Sequence, residues 1–358
     1  MQPPTLALTS EWNKTQINFV IGLFCFLLWQ CPACGQSLSP LPSFSILFYN
    51  VENLFDTRND SLTLDDEFLP EGLKHWTSAK LADKQNKLSK VILAANGFSI
   101  PDVVAMCEVE NRFVMEKLLK ETPLQRFNYR IIHKDSPDER GIDVAMLYRS
   151  ETVVPIRFDY FPLFDNQGKV KATREILHAT LILGTDTLHV FVNHWPSRYQ
   201  GQAETESERM NAATRLKHAV TEVQQGQKNA KIVLIGDFND TPENESLIRG
   251  LGTSAAGLPE TDSGLINLST AWAPKGTLKH QQSWQSFDQV IVSESLLNKV
   301  GLHCQSNAAR IVELPFLLED DPTWGGKRLF RTYRGYDYCG GFSDHLPVLL
   351  QLSRSPQD

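Results

Sequence analysis

Ile232-Val233-Leu234-Ile235-Gly236-Asp237-Phe238-Asn239-Asp240-Thr241-Pro242 decides how this chain is read. Four aliphatic residues in succession have the composition of a strand buried on both faces. Gly236 lets the backbone turn sharply where the strand stops, so an acid and an amide project from its tip. In layered α/β folds reactive side chains gather at strand ends. A carboxylate two residues from a carboxamide suits metal-assisted phosphate chemistry: the acid holds a cation or orients water, and the amide donates to a phosphate oxygen. Taken alone the segment reads as readily as a surface turn, because Asp, Asn and Pro are turn formers. The other strand ends settle the choice.

The chain has 358 residues, 41% of them hydrophobic and 22% charged, which fits a globular protein with a large core. Its net charge of −7 argues against a protein that coats nucleic acid electrostatically. Catalysis on phosphodiesters stays open, since a bound cation supplies positive charge locally. Phe19 to Trp29 is an apolar stretch short for a bilayer span and suited to the core of a signal peptide. Small residues follow at Ala33-Cys34-Gly35, so residues 1–35 are expected to be a signal peptide removed before Gln36, and the protein to be exported, periplasmic or secreted. The alternative is a lipoprotein acylated at Cys31 or Cys34. Beyond the leader only Cys107, Cys304 and Cys339 remain, without metal-type spacing. Cys107 reads as a core residue; a Cys304–Cys339 disulfide is open to an exported protein, and nothing requires it.

Residues 36–43 form a Ser/Pro linker, 44–353 a single domain, and 354–358 a tail. Short strands are expected at Phe44–Asn50, Val103–Glu108, Tyr129–His133, Asp143–Tyr148, Ala179–Leu183, Thr187–Asn193, Ile232–Ile235, Asp288–Val292 and Leu346–Leu352. Apolar residues near helical spacing predict helices over Lys80–Asn96 and Glu206–Gln227. Helices fall mainly after the first strand and after Thr187–Asn193, while other strands follow each other closely. That order predicts sheets with much antiparallel pairing packed between helices, not a doubly wound parallel sheet.

Polar residues punctuate these strands: Asn50 in Tyr-Asn-Val-Glu-Asn, Glu108 after an apolar run, and His194 in Asn-His-Trp-Pro-Ser. Asp237 and Asn239 lie in Gly-Asp-Phe-Asn, Asp288 opens Asp-Gln-Val-Ile-Val, and Asp344-His345 precedes Leu-Pro-Val-Leu-Leu. In order and wording the set resembles the endonuclease/exonuclease/phosphatase superfamily, the deoxyribonuclease-I-like fold, over roughly Ser43 to Leu352. The resemblance implies an α/β (α+β) fold: a four-layered sandwich of two packed, mostly antiparallel sheets flanked by helices, with a cleft along one edge.

It also implies roles. Glu108 is the principal Mg²⁺ ligand with Asn50 beside it; Mn²⁺ or Ca²⁺ could serve, since hard cations favour oxygen ligands. Glu52 contacts the metal directly or through a ligand, and Asp344 is a further metal or orienting acid. Asp237 and Asn239 orient the attacking water and contact the phosphate. His345 contacts the phosphate, and Asp288 fixes a histidine tautomer. His194 resembles the histidine that protonates the leaving group in secreted deoxyribonucleases and sphingomyelinases. Arg174 matches an arginine that reaches the phosphate, or else makes an ion pair with Glu175 or another acid. Arg140, Arg331 and Tyr333 either line the cleft or brace the fold. Trp195 and Trp284 stack on substrate or, by preference, pack under the sheet edge. Asp240 is read as a turn cap.

The expected function is hydrolysis of phosphodiesters by an exported, monomeric, endonuclease-like enzyme, with nucleic acid as the first substrate and no stable protein partner. A phospholipid- or sphingomyelin-type phosphodiesterase or phosphatase is the alternative, for which the Trp324-Gly325-Gly326 loop suggests peripheral membrane contact. A non-catalytic binding protein on the same fold is the other.

Overall fold

Two parallel β-strand pairs, each bridged by a long helix, organise the chain. In the computed structural model, which describes residues 43–199, 201–258 and 262–355, β1 (Ser43–Leu54) runs parallel to β2 (Val103–Val109) with α1 (Ser78–Ala94) between them. The second unit is β7 (Asp186–His194), α3 (Glu206–Gly226) and β8 (Lys231–Asp237), with β7 and β8 again parallel. A crossover of this kind lets parallel neighbours pair, whereas antiparallel neighbours such as β3/β4, β5/β6 and β6/β7 follow each other directly in the chain. The expected leader, its cleavage point, acylation at Cys31 or Cys34, and the linker before Ser43 lie outside the described residues.

The remaining strands are β3 (Tyr129–His133), β4 (Asp143–Arg149), β5 (Val153–Phe161), β6 (Ile176–Leu183), β9 (Thr253–Ala255), β10 (Leu265–Asn267), β11 (Leu278–His280), β12 (Ser283–Gln285) and β13 (Asp288–Ser293). They continue with β14 (Leu302–His303), β15 (Ala309–Ile311), β16 (Leu318–Asp320), β17 (Lys327–Leu329), β18 (Tyr333–Arg334), β19 (Asp337–Tyr338) and β20 (Val348–Arg354). One seven-stranded sheet has the order β14-β20-β1-β2-β4-β3, with β15 also on β20; the other runs β5-β6-β7-β8-β13-β10-β9. Pairing is antiparallel except at β1/β2, β7/β8 and β9/β10. This is the expected mixed α/β sandwich.

Side-chain alternation builds the layers. Ile46 and Phe48 of β1 join Val190, Val192, Val233 and Ile235 in the core between the sheets. Leu47 and Tyr49 point the other way, into a second core under α1 and α2 (Arg112–Glu121). Phe191, Ile232 and Leu234 meet Ala212, Leu216 and Val220 of α3 in a third. Strands covered on both faces are why the sequence shows continuous apolar runs there.

Several expectations are refined. Helix α2 was not anticipated; Asn111 caps it by accepting from Val114 N at 3.1 Å. The last strand begins at Val348, not Leu346, since Pro347 has no N–H to pair. Cys304 and Cys339 are free thiols, so the optional disulfide is not formed, and Cys107 is buried in the inter-sheet core as expected. No helix among the described residues is long and apolar enough to cross a membrane.

Candidate active site

The C-terminal ends of both parallel pairs meet at one edge of the sandwich. Asn50, fully buried where the regular pairing of β1 with β2 breaks off, donates from Nδ2 to Glu108 Oε1 at 3.3 Å and to Asp237 Oδ2 at 3.1 Å, so one amide ties the two sheets together. Its Oδ1 accepts the Glu52 N–H at 3.0 Å, and the chain then reverses through positive φ at Glu52 and Asn53. That reversal aims the Asn53 N–H at Glu108 Oε2, 2.9 Å away. Glu108 itself sits at φ 62° where the β2–β4 register slips between Cys107 and Val109. Such a bulge re-aims a side chain out of the ladder. The left-handed backbone at Glu108 and at Glu52 and Asn53 opposite is therefore what presents its carboxylate.

On the other sheet, register lines up His194, Asp237 and Asp288 across β7, β8 and β13. Gly236 is there for close approach rather than for a turn, because β8 continues through Asp237. A Cβ at Gly236 would stand 2.2 Å from the Asn193 carbonyl oxygen. The turn comes at Asn239, with φ 50°, whose N–H donates to Asp237 Oδ1 at 2.9 Å and whose Nδ2 donates to the Trp195 carbonyl at 3.0 Å. His345 enters from the loop before β20. Its Nδ1 donates to Asp288 Oδ2 at 2.6 Å, and its Nε2 lies 3.8 Å from Asp237 Oδ2. His194 Nε2 is 3.9 Å from Glu108 Oε1, and its buried Nδ1 has no partner.

The two histidines are driven in opposite directions. Burial favours a neutral His345, but Asp288 and Asp237 outweigh it and raise its pKa well above the usual value. Burial, then the Arg174 and Arg140 charges, and His345, push His194 well below that value. Burial, opposed by His345 and reinforced by Asp288, raises Asp237 to about 7. Before a cation binds, the surroundings thus favour a protonated His345 and a neutral His194, a separation typical of acid–base pairs.

Other predicted residues are engaged in the fold. Glu52 is buried and accepts from Arg331 Nε at 3.0 Å and Thr332 N at 2.7 Å, with Lys84 Nζ 4.0 Å away. Asp344 pairs with Arg331 Nη2 at 2.8 Å. Arg174 donates to Asp138 Oδ2 and to the Trp195 carbonyl, each at 3.0 Å, while Glu175 pairs with Lys134 instead. Arg140 is half exposed beside Asp138, 3.7 Å away. Trp195 packs edge-on against Phe238, with ring centroids 4.9 Å apart, and Trp284 packs against the core under α1, the preferred reading for both. Asp240 is no turn cap: it is buried and pairs with Arg198 at 2.6 Å and Arg209 at 2.8 Å.

Sequence reasoning missed Lys84. It is 1% exposed, donates to Thr332 Oγ1 and the Phe342 carbonyl, and is lowered to about 8 by burial despite Glu52 and Asp344. Lys84 clamps the 330–342 loop against the strand that carries Asn50. Its sequence signal, one lysine among Lys80, Lys84, Lys87 and Lys90 on a helix, is that of a solvated face.

The donor set fits a hard divalent cation. Glu108 and Asp237 converge on one amide, no Lys or Arg ion pair to either is found among the described residues, and all contributors are oxygen-bearing groups. Glu108 and Asp237 would hold it, with the Asn50 amide, whose Nδ2 donates to both, orienting the two carboxylates. Asp237, Asp288 and His345 also place ligand atoms within 4.8 Å of one another, as do Cys107, His194 and Asp237.

A helix-flanked double sheet with acids, amides and histidines converging at one edge defines a phosphoester hydrolase architecture. The chain belongs to the endonuclease/exonuclease/phosphatase family, whose profile matches residues 45–354. Members hydrolyse phosphoester bonds and generally depend on divalent metal. Among solved structures it is similar to the catalytic domain of human Nocturnin, with 16% identity, 88% of this chain and 96% of that one covered, and TM-score 0.53. D. rerio TDP2 complexed with a single-strand DNA product matches at 16% identity, 87% and 99% coverage, TM-score 0.53. A mannosyl-6-phosphatase of Bacteroides thetaiotaomicron matches at 16% identity, 86% and 99% coverage, TM-score 0.55. At these identities the likeness is one of fold. No curated protein matches the sequence.

Proposed function

We propose that this chain is an exported, Mg²⁺-dependent phosphodiesterase. The observation that carries the reading is the single buried Asn50 amide joining Glu108 to Asp237, with the His345–Asp288 pair directly behind. A divalent cation bound there would neutralise the phosphate and lower the pKa of bound water. Asp237, kept ionised by a cation beside it, accepts the proton of the attacking water. The His345 imidazolium and the Asn239 region stabilise charge growing on the phosphoryl oxygens. His194 serves the leaving oxygen; the incoming anion offsets the Arg174 and Arg140 charges and so favours its protonated form. Arg174, held by Asp138, fixes the Trp195 carbonyl and with it Asn239. Nucleic acid is the first polymer to try, and the Phe19–Trp29 stretch supports export.

The test is hydrolysis of bis(p-nitrophenyl) phosphate with Mg²⁺, Mn²⁺, Ca²⁺ or chelator. Chelation should abolish turnover, and Glu108→Ala and His194→Ala should each lower kcat by roughly 10²–10⁴-fold. Near-wild-type activity of either variant sinks the assignment.

A further inference from the structure

A second gathering of histidine and carboxylates lies outside the candidate active site, at the neck of the β3–β4 connection. β3 ends at His133 and β4 begins at Asp143, so the two flank residues 134–142. In the antiparallel register His133 stands opposite Ala145, which places Asp143 diagonally across from it. His133 Nε2 is 3.0 Å from Asp143 Oδ2, and His133 Nδ1 is 3.8 Å from Asp135 Oδ1. One ligand atom from each of the three residues lies within 4.8 Å of the other two. Ligand atoms on a tetrahedral ion about 2.1 Å away stand roughly 3–4 Å apart. The His133–Asp143 contact falls in that range, and Asp135, its side chain 82% exposed, has room to turn inward.

Charge points the same way. Neither Asp135 nor Asp143 has a Lys or Arg partner among the described residues, and Lys134 is taken by Glu175 at 2.6 Å. The Asp143 side chain is 2% exposed, and carboxylates buried that deeply are paired or bound to metal. His133 supplies the missing charge only by being protonated. As a neutral ligand it leaves both carboxylates to a cation.

A third observation is independent of the cluster. The Tyr160 hydroxyl is buried with no partner, and Asp143, Glu175 and Asp135 are the carboxylates that bear on it. A buried orphan of this kind marks a place for an ion or for water held by one.

We propose that His133, Asp135 and Asp143 form a second cation site, taking Zn²⁺ or a similar transition metal, that closes the neck of the β3–β4 loop. An imidazole nitrogen with two carboxylates selects such a cation over Mg²⁺ or Ca²⁺, which favour oxygen alone. The site goes beyond the phosphoesterase reading and does not depend on it. Ser136 N already donates to Asp143 Oδ1 at 2.8 Å, so the ion and this bond fix both sides of the neck. Farther along the loop, Asp138 accepts from Arg174 Nη1, and Arg174 Nη2 holds the Trp195 carbonyl, the residue after His194. The ion therefore braces the loop that positions Arg174, without touching substrate.

The experiment measures Zn²⁺ bound at equilibrium dialysis, by mass spectrometry of the metal, with saturating Mg²⁺ present to occupy the oxygen-donor site. Wild type, Asp135→Asn, His133→Gln and Glu108→Ala are compared, with melting curves to confirm folding. Both neck variants should lose one Zn²⁺, or bind it roughly 10–100-fold more weakly, while Glu108→Ala keeps that ion. Hydrogen exchange across residues 134–142 should slow when Zn²⁺ is added to wild type and not when it is added to Asp135→Asn. Asp135 is exposed, so Asp135→Asn decides alone should His133→Gln fail to fold. Wild-type Zn²⁺ affinity in either folded neck variant, or loss of the same ion in Glu108→Ala, overturns the site. No Zn²⁺ bound by wild type overturns it too and leaves His133 as an ion-pair partner. Loop exchange that ignores bound Zn²⁺ overturns the bracing role.

Discussion

Asp288 shows how much a single carboxylate can decide. It is fully buried, its Oδ2 accepts the hydrogen bond from His345 Nδ1, and its Oδ1 has no partner. Replacing it with Asn keeps the shape and removes the charge that sustains the His345 imidazolium against burial. Asp288→Asn should lower kcat by roughly 10²–10⁴-fold with a smaller effect on KM. Steady-state kinetics with a melting curve to confirm folding would check this; a kcat within threefold of wild type would contradict it. The residues that gather at the site were legible because each stands polar at one end of an apolar run. Their partners were not. Glu52 pairs with Arg331 and Arg174 with Asp138, and those matches join segments far apart in sequence, where nothing local announces them.

Strands were legible wherever both faces are covered, as in Ile232–Ile235, and blurred where a strand lies at an edge. Edge strand β5 mixes exposed Val154 and Phe158 with Arg157, and its pairing with β6 slips between Pro155 and Arg157, so no alternation marks it. Its neighbours β6 and β7 hold a pH-sensitive contact. His178 lies flat on Phe191 with ring centroids 4.2 Å apart, and its Nε2 is 3.1 Å from His189 Nδ1. Burial, then proximity to His189, lowers His178 from 6.5 to about 4. The folded state therefore resists a proton that the unfolded chain accepts. This contribution is complete above pH 6.5 and is lost as pH falls through that range to about 4. At about 1.4 kcal/mol per unit it is on the order of 3 kcal/mol. Urea melts of His178→Phe, which keeps the stack on Phe191, should lose this slope. A variant as acid-sensitive as wild type between those limits would refute it.

At the scale of the whole molecule, the layers follow from the burial pattern. Three apolar clusters alternate with two sheets, and the site lies where the strand ends of both sheets come together. The sandwich was legible because short strands with few intervening helices cannot make a doubly wound sheet. Which sheet each strand joins was not, since β1 pairs with β20 at the opposite end of the chain. That pairing bears on the order of events during synthesis. Phe44 to Phe48 have no antiparallel neighbour on that side until Val348 to Leu352 emerge, and His345 arrives only just before them. Contacts of such sequence separation close late, because loop entropy must be overcome first. A chain ending before Val348 should expose one flank of β1, aggregate, and hydrolyse nothing, while adding β20 as a separate peptide should restore both solubility and turnover in part. Sedimentation and activity with and without that peptide would show it; a soluble, active truncation would not fit. The proposed chemistry then waits on the synthesis of β20, which acts as the last part needed to assemble the site.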